Sequence, residues 1–228
     1  MTDTLALYVD PHMVVLEKPA GLLAVPGRGE DKQDCLSARA QAIWPDALIV
    51  HRLDMATSGL MVMARGIEAQ RQLSRAFEKR QVHKRYQALV VGQIEGPADE
   101  AGWSTIDWPL AVDWLNRPRS VVCWQTGKPS LTRWRRLECA AMAGKDPLVP
   151  TEWISRVEME PMTGRTHQLR VHMQALGHPI VGDPLYANPA TASATLPFPP
   201  RLCLHATELV LPHPVHGEPM AFSSPCPF

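Results

Sequence analysis

The 228-residue chain has no excess of charge of either sign, since 23 lysines and arginines balance 23 aspartates and glutamates. A protein held to nucleic acid by net charge alone is therefore excluded, and any polyanion must be gripped by local patches. It has no apolar run of about 18 residues, which excludes a membrane-spanning helix. The beginning, MTDTLALYVDPH, lacks a basic leader followed by an apolar stretch, so no secretory signal is expected. The five cysteines (Cys35, Cys123, Cys139, Cys203 and Cys226) are odd in number and contain no C-x-x-C pair. That speaks against a disulfide framework and a thiolate zinc site, and fits the reducing cytoplasm. There is also no G-x-S-x-G elbow, no phosphate loop and no H-E-x-x-H zinc helix, because His167 and His172 stand five apart. A glycosidase would need a second, opposed carboxylate. Beyond the polar stretch at 51–59, the one other aspartate in a motif-like setting is Asp183, and Gly182-Asp183-Pro184 reads as a turn.

What is present is ordinary globular material. Hydrophobic residues make up 45% and charged residues 20%, enough at this length to bury roughly 70–75% of the unfolded surface without staples. Short apolar runs read as strands at 5–8, 13–16, 60–64, 86–91, 120–124, 131–139, 151–160 and 202–211, while Leu48 to Val50 is too short to type. Three segments read as helices. Cys35 to Trp44 has Asp34 placed to cap it and Pro45 beyond its end. Ile67 to Lys79 repeats Ala69, Leu73, Ala76 and Phe77 on one face and Arg71, Arg75 and Lys79 on the other. A third helix begins near Thr166, with Leu169 and Met173 opposite His167, Arg170 and Gln174, and Gly177 at its C-cap. The Pro-rich stretch 188–200 reads as a loop. Strand runs interrupted by few helices predict an α+β fold with a largely antiparallel central sheet, as a single domain over 1–228.

Charge is unevenly spread. Between Arg65 and Tyr86 there are seven basic residues, including Arg71, Arg75, Lys79 and Lys84, against Glu68 and Glu78 alone. From Trp114 to Leu137 there is no acid, but Arg117, Arg119, Lys128, Arg133, Arg135 and Arg136 occur. Either stretch is a phosphate-binding patch or a solvated face. Two polar clusters stand out. HRLDMATSG (51–59) lies between apolar runs, where a strand end can carry a site, although an aspartate there also serves as a turn former. TGRTHQLR (163–170) gathers donors at a helix start that favours anions, or is a capped surface helix.

Taken together, HRLD-x-x-TSG, K-x-Y-x-A ending at Ala88 and GRTHQLRVHM from Gly164 resemble the RluA family of pseudouridine synthases. KPAGLLAVPG from Lys18 resembles its first motif and RLCLHATELVLPHP from Arg201 its closing strand. NRPRSVVCWQTGKPSLTRW (116–134) is similar to the RluA-type subgroup. The resemblance implies the pseudouridine synthase catalytic fold with a central cleft, no separate N-terminal RNA-binding domain, and an isomerase acting on structured RNA without a cofactor or metal. It implies Asp54 as the catalytic carboxylate, Tyr86 as the residue stacking on the target base, and Arg170 as the partner of the aspartate. It also implies Arg52 as the residue that displaces the uridine. RNA contacts are expected from Arg52, His51, Arg71, Arg75, Lys79, Lys84, Arg117, Arg119, Arg165 and His167, with His51 and His167 alternatively serving as loop supports. Expected substrates are a 23S rRNA hairpin, a tRNA anticodon stem-loop or both, modified by a cytoplasmic monomer with no obligatory protein partner. Glu17 in place of the usual Asn, and Ala187 in place of the usual Gly, depart from the family pattern. The competing reading is a non-catalytic RNA-binding or RNA-folding chaperone on the same scaffold.

Overall fold

The computed structural model describes residues 6–142, 152–187 and 200–228. The described residues fall into two compact units, one comprising residues 6–84 with 205–226 and the other 85–142, 152–187 and 200–204 with 227–228.

The first unit is built on β1 (Ala6–Val9), β2 (Met13–Lys18), α1 (Leu36–Ile43), β3 (Ala47–Ile49), β4 (Ser58–Arg65) and α2 (Ile67–Glu78). β2 pairs antiparallel with both β1 and β4, and β3 pairs antiparallel with β4. β4 is buried from Ser58 to Ala64, which is why its sequence is a continuous apolar run rather than an alternating one. α2 buries Ala69, Leu73 and Ala76, as the helical spacing predicts, and leaves Arg71, Arg75 and Lys79 exposed. Val14, Leu16, Leu36, Ala40, Met61 and Met63 form the core beneath α1. The expected cap of α1 is corrected. The extended residue Cys35 is the N-cap, and its Sγ accepts the Ala38 N–H. Asp34 lies one residue too early and reaches along the helix to Arg39 at 2.8 Å.

The chain's end returns to this unit through β11 (Leu204–Pro212) and β12 (Pro219–Ser223), an antiparallel pair. β11 meets β4 in parallel, His205 beside Ser58 and Ala206 beside Gly59. Gly59 has φ +109°, and a Cβ there would run into the Ala206 carbonyl oxygen. Glycine is thus required by both backbone conformation and close approach.

The second unit is an antiparallel sheet in the order β5 (His83–Val91), β10 (Glu152–Pro161), β9 (Leu131–Met142), β6 (Ser104–Asp107). A hairpin of β7 (Leu110–Val112) and β8 (Ser120–Val122) stands apart, and α3 (Gln168–Ala175) packs on β8, β9 and β10. α3 starts at Gln168, not Thr166, and it is no surface helix: all residues from Gln168 to Met173 are buried. Its first turn is tied by the Gln168 side chain, whose Oε1 accepts from the Arg165 N–H and the Thr163 hydroxyl and whose Nε2 donates to Leu131 O. Gly177 adopts φ +87° just past the helix end, as expected of a C-cap glycine. β6, β7 and β12 were not foreseen. The 188–200 loop reading falls, but for Pro200, outside the described residues, as do Leu5 and Thr151 at the ends of two expected strands. Among the described residues no helix is long and apolar enough to cross a membrane.

Candidate active site

In the first unit the HRLD segment leaves β3 and turns into β4. The turn is closed by the Thr57 N–H donating to Asp54 O at 3.1 Å. It is pinned from below by Lys18, which has no exposed surface. The Lys18 Nζ donates to Pro19 O, Leu22 O and Met55 O at 2.7–2.9 Å, and the Gly21 N–H also donates to Met55 O. A buried ammonium is tolerable only with its donors matched, and here three carbonyl dipoles surround it. The KPAG loop and the residue after Asp54 are therefore locked to one another. Leu53 is buried while Asp54 is half-buried and Arg52 exposed, so the alternation turns Leu53 into the core and its neighbours outward.

His51 faces the protein. Where β3 ends, the His51 Nε2 accepts the Val62 N–H at 3.0 Å in place of a strand neighbour, and its ring stacks on Phe77 with centroids 4.6 Å apart. Burial, aided by repulsion from Lys84, pushes its pKa down to about 3, so the imidazole stays neutral, as an acceptor must. Of its two readings this geometry is that of a loop support. Lys84, half-buried, lies over the same Phe77 ring at 6.0 Å, and burial lowers its pKa.

In the second unit Tyr86 is buried on β5, opposite Met159 of β10. Arg170 is 3% exposed and forms a two-pronged ion pair with the fully buried Asp183 carboxylate, Nε to Oδ2 and Nη2 to Oδ1, both at 2.8 Å. Asp183 Oδ1 also accepts the Leu185 and Tyr186 N–H groups. The turn read at 182–184 is thus an ionic anchor as well. Gly182, at φ +71°, lets it pass close to the Arg201 carbonyl oxygen.

Tyr186, also unforeseen, sits at the centre of this cluster. Its hydroxyl accepts the Ser120 N–H and pairs with His167 Nδ1, each at 2.8 Å, while the Arg119 and Arg170 guanidiniums lie 5.3 and 5.1 Å from its ring. His167 takes φ +57° as the cap of α3, so it too is tied into the scaffold. The G-D-P-L-Y run was the available signal for both Asp183 and Tyr186.

The basic stretch at 117–136 contracts. Antiparallel pairing sets Arg135 opposite Glu158 and Arg133 opposite Glu160, and these pairs form ion bridges. Arg133 also meets Asp99, and Arg136 meets Glu95. β10 thus supplies acids that the local sequence lacks, and Arg133 and Arg135 are paired. Arg117 and Arg165 remain exposed, the latter donating to Pro129 O. On α2, Arg71 pairs with Glu68, an exposed contact of small energetic weight. Among the described residues no group of three or more His, Cys, Asp or Glu is arranged to hold a metal ion.

The neutral histidines set an acid limit on stability. Burial also lowers the pKa of His172, whose ring nitrogens meet Thr132 Oγ1 and Trp108 O. Both groups have folded pKa values below the unfolded 6.5. On acidification the unfolded chain takes up these protons first, so the stability present above about pH 6.5 is lost as pH falls toward the folded values. Urea midpoints are expected to fall steadily between about pH 6.5 and 4, less steeply in His51→Asn, which keeps an acceptor but cannot titrate. A flat profile in that window would contradict this account.

A mixed, mostly antiparallel sheet with few helices is the fold of the pseudouridine synthases. Residues 12–175 match the family described as RNA pseudouridylate synthase. The chain is 46% identical over 222 residues to the dual-specificity RNA pseudouridine synthase RluA of Escherichia coli K12, covering 97% of this chain and 93% of that one. It is 44% identical to the protein of that name from Yersinia pestis, over 98% and 100%. The solved structure of human RNA pseudouridylate synthase domain containing 1 is similar with a TM-score of 0.78 at 30% identity, covering 98% of this chain and 83% of that one. The chain belongs to the RNA pseudouridylate synthase family. Its activity is accordingly that of an isomerase on uridine in RNA.

Proposed function

We propose that this chain converts particular uridines of small RNA hairpins to pseudouridine, with Asp54 as the catalytic carboxylate. The observation that carries the reading is Asp54 held half-exposed on a turn whose backbone is pinned by the buried Lys18. Pseudouridine formation breaks the bond from C1′ to N1, turns the uracil and joins C1′ to C5, which then loses its proton. No atom is gained or lost, so no redox partner is needed. Attack on the sugar, attack on the base and abstraction of a sugar proton each require an ionised carboxylate. In this reading Arg170 supplies positive charge at the reacting site, and Tyr86 stacks on the extracted base. Extraction costs about a few kcal/mol, and Arg52, exposed beside Asp54, takes the vacated place in the stack. Arg71, Arg75 and Lys79 on the outer face of α2, with Arg117 and Arg165, hold the RNA backbone.

The substrates we assign are a 23S rRNA hairpin and a tRNA anticodon stem-loop. The words dual-specificity in the relatives' name support two targets, as does the RluA-type stretch at 116–134. The enzyme so read is cytoplasmic and acts as a monomer. Pseudouridine mapping of RNA from a deletion strain tests the assignment. Loss of sites in one 23S hairpin and in anticodon stem-loops is expected, and loss confined to other RNAs would overturn it.

A further inference from the structure

The tip of the β7–β8 hairpin carries an arrangement that none of the catalytic roles requires. Trp114 is 73% exposed and Leu115 96% exposed, side by side at residues 113–119. Burying such side chains is ordinarily favourable, and paired exposure on a loop marks a contact surface. The Arg117 guanidinium lies 3.4 Å from the centroid of the Trp114 ring. With that face covered and most of the residue still exposed, the opposite face of the indole is open.

The loop is built to hold this pose. Asp113 is turned into it, with Oδ1 accepting the Asn116 N–H and Oδ2 accepting the Asn116 side-chain amide. The Asp113 N–H donates to Arg119 O, and the Arg119 N–H donates to Asn116 O. The next residue, Ser120, is fastened to the Tyr186 hydroxyl, and Arg119 and Arg170 share the Tyr186 ring. The tip therefore stands on the same buried cluster that orients Arg170.

We propose that Trp114, backed by Arg117, is a stacking platform for an unpaired base of the substrate RNA. The inference rests on the reading that RNA hairpins are the substrates. Three observations select a nucleobase as the occupant. The open surface is a π face rather than an aliphatic groove. The cation already stacked on it strengthens its hold on an electron-rich ring beside phosphate. The one acid of the loop, Asp113, is bound inward, and no other acid occurs up to Leu137. A platform on a braced hairpin has a fixed reach from Arg170, so it selects RNAs whose loop offers an unpaired base at a matching distance from the target uridine.

The test uses the full chain with a synthetic uridine-containing RNA hairpin and a fully paired duplex of the same composition, titrated by fluorescence anisotropy. Trp114→Ala is expected to weaken hairpin binding about tenfold, the scale of one base stack, and to leave duplex binding unchanged. Trp114→Phe is expected to keep most of the affinity. Because the effect is stacking, Trp114→Ala should leave the salt dependence intact, whereas Arg117→Ala should make it shallower. Independently of any alanine variant, quenching of tryptophan fluorescence by the hairpin should be smaller in Trp114→Phe than in the wild type. Undiminished hairpin binding in Trp114→Ala, equal losses on hairpin and duplex, or unchanged quenching in Trp114→Phe would overturn the proposal. These arms read binding alone. Failure of the target assignment would appear instead in the map of modified sites, so the two are distinguished.

Discussion

Asp54→Asn is expected to stop tritium release from RNA labelled at carbon 5 of uridine, by about a thousandfold or more, with RNA affinity retained. The substitution is nearly isosteric and removes only the negative charge. The turn that carries the side chain is held by backbone contacts: Thr57 to Asp54 O, and Lys18 and Gly21 to Met55 O. None of these depends on the carboxylate. Geometry should therefore survive while every route through an ionised oxygen closes. Retained release would remove Asp54 from the chemistry. Loss of RNA binding in step with activity would make the residue structural, and a wild-type chain that binds RNA but releases no tritium would favour the chaperone reading.

Asp183→Ala is expected to destabilise the fold by about 3–5 kcal/mol, because it strands a buried guanidinium. Arg170 and Asp183 are 3% and 0% exposed and share two bonds of 2.8 Å. Water cannot replace the lost carboxylate without opening the cluster, and the Leu185 and Tyr186 N–H groups lose their acceptor as well. Against a typical total of 5–15 kcal/mol this is a large fraction. For a chain of this length it corresponds to a fall in Tm of about 10 °C. Asp183→Asn should recover part of the loss, since it keeps the shape and an acceptor. A change in Tm of a degree or two in Asp183→Ala would show that the ion pair contributes little.

Arg170 also marks where reading from sequence stops. The family motif names it, and the helical spacing places it within α3. Its burial and its bond to Asp183, thirteen residues on, follow from the turn at Gly182 that folds this segment back. The same holds for Lys18. Its ammonium is enclosed by three carbonyls, one of them 37 residues away. The acid-free run at 114–137 read as a phosphate site or a solvated face. Pairing with β10 brought Glu158 and Glu160 opposite Arg135 and Arg133 and matched those two of its six basic residues.

The elements legible from residues alone are those whose signal is local. The apolar run of β4, the two-faced spacing of α2 and the C-cap at Gly177 each express a backbone period or a dihedral preference within a few residues. The HRLD and HQLR segments were legible for a different reason: they are contiguous and chemically distinctive. Which charges are matched, which histidines stay neutral and which aromatic stands clear depend on segments far apart in the chain being packed side by side. Coulombic pairing and desolvation act through space, and a linear order of residues carries no distances between strands.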